Sequence, residues 1–307
     1  MHDPGWRTLD EVIEAFQAHV ARTRGTHRDG LHAHGRYVRA FLVGVFGDGP
    51  VDLQKFTAAD VILYITSLAG RYRPSTVSNA RAALRTFLRF LHVEGVRVDR
   101  LNEALPPSPS RRRLVGLPRH MEADGLERLI ATLDRSTPRA KRDRAMILCV
   151  ARLGLRCGEV VRIQLDDVDW RAAVLHIRSR KTGRGASLPI PADVGAAIVD
   201  YIQHGRPRTG SRHVFLLHHL RVGDPATPYT LYAAVSVALA EAGIEAPSRG
   251  PNLLRHTLAT RLIRGGASLS EIADLLGHRC LETTQIYAKL DLPSLRAVAQ
   301  PWPEVES

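Results

Sequence analysis

At 307 residues and 44% hydrophobic content, the chain is long enough for two domains, each with its own core. A net charge of +12 and a pI near 10.3 favour a polyanionic partner, the alternative being a basic surface kept for solubility. No apolar stretch is long and charge-free enough to span a bilayer, and Met1 to Asp10 lacks the basic-then-apolar order of a signal peptide. The expectation is a soluble, cytoplasmic protein without a membrane partner. The three cysteines, Cys149, Cys157 and Cys280, are too few and too far apart for a disulfide framework or a zinc knuckle, and read as small residues that fit their surroundings.

The first third reads as four helices with no sign of a sheet. Thr8-Leu-Asp-Glu11 has the capping-box pattern, and Leu9, Val12, Ile13, Phe16 and Val20 follow as one stripe. A second amphipathic run covers roughly 30–46. A third starts near Thr57 and carries Val61, Ile62, Ile65 and Leu68. A fourth starts near Ser75, carries Leu84, Phe87, Leu88 and Leu91, and ends at Gly95. Arg81, Arg85 and Arg89 stand at i, i+4 and i+8 on the fourth helix. Like charges at that spacing repel, and phosphates along the face would relieve the repulsion; a solvated basic face is the alternative.

Leu-Pro-Pro-Ser-Pro-Ser-Arg-Arg-Arg (105–113) reads as an extended linker whose Arg111, Arg112 and Arg113 either track a phosphate backbone or are simply solvated. Beyond it, one helix carries Leu126, Leu129, Ile130 and Leu133, and another, from about 139 to 152, carries Met146, Ile147, Leu148 and Val150. Val174–Ile177 and Ser187–Ile190 read as strands around the turn Lys181–Gly185, with Pro189 marking an edge. Helices are expected over 191–204, 228–242, 252–265 and 270–276. The boundaries predicted are a helical domain over 1–104, a linker over 105–118, a mixed domain over 119–290 and a tail over 291–307.

Four separated segments carry candidate chemistry. Arg156 and Glu159 lie three apart at a helix start and share a face, as many plain ion pairs do. Lys181 sits on a short hairpin tip, where it reaches a groove or a phosphate or is merely a surface charge. Asn252 and Arg255 share a helical face, whereas His256 points about 100° away and reads as a satisfied core or supporting group. Gly277 ends a helix, His278 sits on the turn, and Tyr287 follows nine residues later, either a nucleophile or an ordinary core tyrosine.

In their order and spacing these segments resemble the tyrosine recombinase (phage integrase) family. Its pattern is Gly-Leu-Arg-x-Gly-Glu, a hairpin lysine, His-x-Leu-Arg-His, Leu-Gly-His and a tyrosine nine residues on. Those elements fall here on Arg156, Lys181, Arg255, His278 and Tyr287. Residues 75–95 also resemble the family's Ser-x-x-Thr…Phe-x-Arg-Phe-Leu helix. The resemblance implies a mainly α fold with a small antiparallel sheet. An N-terminal four-helix core-binding (SAM-like) domain would precede a C-terminal α+β catalytic domain of the DNA breaking-rejoining type.

For function it implies a site-specific recombinase that integrates, excises or transposes a DNA element. Arg156, Arg255 and His278 would bind the scissile phosphate of double-stranded DNA. Tyr287 would form a 3′-phosphotyrosyl bond, Lys181 would protonate the leaving 5′-oxygen, and Glu159 and His256 would support them. No metal, ATP or other cofactor is implied, and the assembly implied is a tetramer on paired sites, with the tail docking on its own or a neighbouring protomer. The departure is Asn252, where the family has a histidine; asparagine hydrogen-bonds but takes up no proton. Two rival readings are a type IB topoisomerase, which shares the tyrosine and arginine chemistry, and a catalytically idle DNA-binding regulator, which Asn252 alone favours.

Overall fold

The computed structural model describes residues 5–24, 28–47, 49–55, 57–96, 101, 103, 105–106, 120–122, 124–133, 136–178 and 185–277. The chain divides into two compact units, Met1–Leu114 and Val115–Ser307. No described helix is long and apolar enough to cross a membrane.

In the first unit, α1 (Leu9–Arg24), α2 (Arg28–Phe46), α3 (Ala58–Ala69) and α4 (Pro74–Val93) pack around one core. Reciprocal caps start two of them. The Thr8 N–H donates to Glu11 Oε2 and the Glu11 N–H to Thr8 Oγ1; Thr57 and Asp60 repeat the arrangement at α3. The predicted stripe of α1 buries Val12, Ile13, Phe16 and Val20, while on α3 only Val61 and Ile65 are buried and Ile62 faces solvent. Phe16 meets Phe87 edge-on at 5.4 Å, and Trp6 stacks on Phe90 at 5.2 Å. Beyond α4, Gly95 adopts a φ of +79° and the Val96 N–H returns to the Leu91 carbonyl at 2.9 Å, closing the helix end.

The second unit is built round α6 (Pro138–Leu153), which starts on the Thr137 hydroxyl and Pro138. Every residue from Ala145 to Ala151 is buried, so the helix is covered on all sides and not along one stripe. It is surrounded by α5 (Gly125–Thr132), α8 (Ala192–His204), α9 (Pro228–Glu241) and α10 (Pro251–Arg264), and α11 (Leu269–Leu276) packs on α10. The single turn α7 (Cys157–Val160) follows α6 directly.

Three antiparallel strands, β1 (Val168–Asp169), β2 (Val174–Ile177) and β3 (Ala186–Pro189), lie in that order. The sequence shows β2 and β3 but not β1, which is two residues long and has no pattern of its own. Its turn is held by Asp169 Oδ1, which accepts the N–H groups of Arg171 and Ala172. Pro189 lies in β3, on the sheet's edge.

Candidate active site

Two helix ends meet at the centre of the site. Helix α6 stops at Gly154, whose φ of +62° is left-handed, and α11 stops at Gly277, with φ +58°. A Cβ on Gly154 would lie 2.8 Å from Leu276 Cδ2 and 3.2 Å from Leu258 Cδ2. Glycine is therefore required at 154 twice over, by its backbone conformation and by the approach of α10 and α11.

The carbonyls freed at these helix ends are taken by two arginines. Arg255, on α10 and only 5% exposed, donates from Nη1 to the Gly154 carbonyl and from Nη2 to the Leu276 carbonyl. Arg156 donates from Nη2 to the Gly277 carbonyl at 3.0 Å. Its Nη1 is 3.0 Å from Glu159 Oε1, and its backbone N–H donates to Glu159 Oε2 at 2.8 Å. The buried Glu159 thus caps α7 and aims the Arg156 side chain together. Both guanidinium groups, predicted from separate motifs, converge on the Leu276–Gly277 turn. Arg156 still has N–H groups without a partner in these bonds, and its side chain is 27% exposed, so it can serve an incoming oxyanion from there.

Asn252 is exposed at the second position of α10 and Arg255 is buried one turn on, so their shared face runs from the surface inward. His256 is half-buried beside Arg255; burial first, and the Arg255 charge second, hold its pKa below the ordinary histidine range. Cys157 is raised by burial and Cys149 is pushed up to about 12 by the same cause, so both thiols stay protonated. Lys181, His278, Cys280, Tyr287 and the tail 291–307 lie outside the described residues, as do Arg111, Arg112 and Arg113.

In the first unit, Arg81 and Arg85 are half-buried on α4 and Arg89 is exposed. Arg81 Nε is buried with no hydrogen-bond partner. Burial, then the neighbouring Arg85 charge, weaken the hold of Arg81 on its proton. This is the repulsive stripe that the sequence suggests, with one donor left unsatisfied.

Three features of the site escape the sequence motifs. One is the pair of glycine-ended helices whose carbonyls the arginines grip. Another is a carboxylate clamp. Glu127 accepts from Arg152 Nη1 and Nη2 at 2.7 and 2.8 Å and from Arg261 at 2.6 Å, and Arg152 Nε reaches Asp193 at 2.8 Å. The hydrogen bonds from Arg152 first, then those from Arg261, pull the Glu127 pKa down to about 2. The clamp ties α5, α6, α8 and α10 together two residues before Gly154. The third is Asp167, which is buried and holds Arg178; nothing marks it among the three aspartates of 165–169.

Residues 119–292 match the model of the phage integrase family. The chain is 40% identical over 302 residues to the putative integrase/recombinase y4rA of Sinorhizobium fredii, covering 98% of this chain and 73% of that one. It is 30% identical to the tyrosine recombinase XerD of Mycobacterium tuberculosis over 308 residues, covering 95% and 97% of the two chains. Among solved structures, the fold is similar to the XerH site-specific recombinase in its post-cleavage complex with difH, with a TM-score of 0.71, 18% identity and coverage of 96% and 84%. It is also similar to the Tn1549 transposon integrase in complex with transposon end DNA, with a TM-score of 0.68, 13% identity and coverage of 94% and 99%. The family match extends over more than half of the chain and the relatives align along nearly all of it, so the chain belongs to the phage integrase family and is a tyrosine-type site-specific DNA recombinase.

Proposed function

We propose that this recombinase cuts and rejoins duplex DNA with Tyr287 as nucleophile and Arg156, Arg255 and His278 around the scissile phosphate. The observation that carries this reading is the convergence of Arg156 and Arg255 on the Leu276–Gly277 turn, the last described residues before His278. Tyr287 Oη passes its proton to water and attacks phosphorus, the P–Oη bond forms and the P–O5′ bond breaks, and Lys181 gives a proton to the leaving 5′-oxygen. Negative charge that builds on the non-bridging oxygens is met by the two guanidinium groups and by His278. Glu159 holds Arg156 in place, and His256 packs beside Arg255. The phosphotyrosine keeps the energy of the broken bond, so a 5′-hydroxyl from a second strand reverses the step.

Residues 1–104 serve as the core-binding domain, joined by 105–118 to the catalytic domain over 119–290. The α4 stripe, with its unsatisfied Arg81 Nε, lies along phosphates, and Arg111, Arg112 and Arg113 follow the backbone through the linker. The working assembly is a tetramer on two paired sites in the cytoplasm, completed by the tail 291–307 docked on a neighbouring protomer. Its relatives include a transposon integrase and putative integrase/recombinases, which supports movement of a DNA element as the biological role. The topoisomerase and idle-regulator readings are not favoured, since the relatives are named as recombinases.

Strand transfer tests this reading. The purified protein, given two duplexes bearing a site that it selects from a random-sequence pool, is expected to exchange strands between them in EDTA without ATP. Asn252→His is expected to retain or raise that activity, because the exposed asparagine supplies only hydrogen bonds where a histidine would also accept the tyrosine proton. Relaxation of one duplex without transfer between two would favour the topoisomerase reading, and loss of all activity in Asn252→His would contradict the role given to Asn252.

A further inference from the structure

The root of the hairpin that carries Lys181 is held by a carboxylate outside the family motifs. Asp167 ends the 3-10 turn Leu165–Asp167 and is 5% exposed. That turn is fixed to the body of the unit: the Leu165 N–H donates to the Arg212 carbonyl and the Val214 N–H to the Ile163 carbonyl, both at 2.9 Å. Asp167 Oδ2 accepts the Gln164 N–H at 2.8 Å, and Oδ1 takes Arg178 Nε. Arg178 is the first residue after β2, where the chain leaves the sheet, and Lys181 follows three residues later.

The returning arm is pinned as well. Ile177 pairs with Ala186, and a Cβ on Gly185 would stand 3.0 Å from the Ile177 carbonyl oxygen and 3.4 Å from that of Arg178. Both ends of the six-residue connection 179–184 are therefore set by described residues. Asp167, Arg178 and Glu159 line one cleft of about 200 Å³, which puts the root of the hairpin beside the carboxylate that holds Arg156. An exposed ion pair contributes little. Here the carboxylate side chain is only 6% exposed against 59% for the arginine, so the buried charge depends on Arg178 and holds it in one place.

We propose that Asp167, acting through Arg178, is a positioning residue that sets the hairpin so that Lys181 Nζ meets the leaving 5′-oxygen. The inference rests on Lys181 as the general acid. Asp167 touches no substrate; its effect appears only in the proton transfer that accompanies P–O5′ cleavage.

A sulfur-substituted substrate separates this role from a merely structural one. With sulfur in place of the bridging 5′-oxygen, the P–S bond breaks and the group leaves as a thiolate, which needs no proton because a thiol has a pKa of about 8.5. Single-turnover cleavage is measured on nicked duplexes of the selected site, one with 5′-oxygen and one with 5′-sulfur. Asp167→Asn and Arg178→Gln are expected to slow the oxygen substrate by up to about 10²-fold, the cost of a misplaced reacting group, and to cleave the sulfur substrate as wild type does. Lys181→Ala is expected to show the same selective rescue with a larger loss on oxygen.

Should Lys181→Ala be rescued while Asp167→Asn and Arg178→Gln stay slow on both substrates, or lose nothing on oxygen, the positioning role is overturned. Should Lys181→Ala itself be slow on both, Lys181 is not the acid, and the inference falls with that reading. Arg178→Gln breaks the pair from its exposed side, so the test stands even if Asp167→Asn does not fold.

Discussion

Arg255→Ala is expected to lower the single-turnover rate of strand cleavage by on the order of 10³-fold, at the upper end of the loss for one donor to a developing oxyanion. The effect has two sources, and both follow from where the guanidinium sits. In the proposed mechanism it is one of two guanidinium groups that meet the phosphate, and in the fold it is the hydrogen-bond donor to the Gly154 and Leu276 carbonyls. Truncation leaves those carbonyls without these bonds in the interior, a cost of about 1–3 kcal/mol each, so the melting temperature falls along with the rate. Arg255→Lys separates the two sources. It keeps the charge but not the planar fork that reaches both carbonyls, and it is expected to recover part of the stability while remaining a poor catalyst. Cleavage by Arg255→Ala within tenfold of wild type would remove Arg255 from the phosphate site.

Gly154→Ala is expected to destabilise the second unit by about 2–5 kcal/mol. A left-handed φ of +62° costs a residue with a Cβ about 1–2 kcal/mol. The contact of 2.8 Å with Leu276 Cδ2 adds about 1–3 kcal/mol of overpacking. For a unit of this size the melting temperature should drop by roughly 4–20 °C. A shift of α11 away from α6 to relieve the clash would also separate the two carbonyls that Arg255 bridges and so extend the effect to cleavage. Gly158→Ala is the control. The nearest atoms that its Cβ would meet are those of the Arg162 guanidinium, at 3.5 Å, an ordinary contact, and its melting temperature should stay within a few degrees of wild type. Equal melting of Gly154→Ala and wild type would contradict the close packing of the two helix ends.

Much of this architecture is written locally in the sequence. Thr8 with Glu11 and Thr57 with Asp60 announce helix starts because a capping box is a contact between residues three apart. The start of α11 is as local, yet reading it from Ser270 misses the Ser268–Glu271 box that begins the helix at Leu269. The candidate residues Arg156, Glu159, Asn252 and Arg255 are likewise visible through motif spacing. What they touch is not. Arg255 grips carbonyls 101 and 21 residues away, and Arg156 grips one 121 residues away. A backbone carbonyl has no sequence signature, so only the folded chain reveals that both arginines meet at Leu276–Gly277. Asp167 is obscure for a different reason: Asp166, Asp167 and Asp169 look alike in the sequence, and burial alone separates Asp167 from its neighbours. Strand β1 exists only through pairing with β2, since two residues carry no periodicity.

The stripe on α4 shows a further limit of sequence reading. Its i, i+4, i+8 spacing is plain, but the sequence does not show that Arg81 is drawn into the domain with Nε unsatisfied while Arg89 stays in solvent. The three arginines are thus not equivalent, and only packing around α4 makes the distinction.

Tyr287 is proposed to form the covalent bond to DNA beside the paired arginines Arg156 and Arg255. The direct measurement uses a suicide duplex of the selected site, nicked so that the short 5′-hydroxyl strand diffuses away after cleavage and traps the adduct. Protease digestion and mass spectrometry then locate the DNA-linked peptide. The expected result is a 3′-phosphotyrosyl adduct on the peptide containing Tyr287, formed in EDTA and absent from Tyr287→Phe; no adduct with the wild-type protein, or an adduct on any other residue, would rule out Tyr287 as the nucleophile.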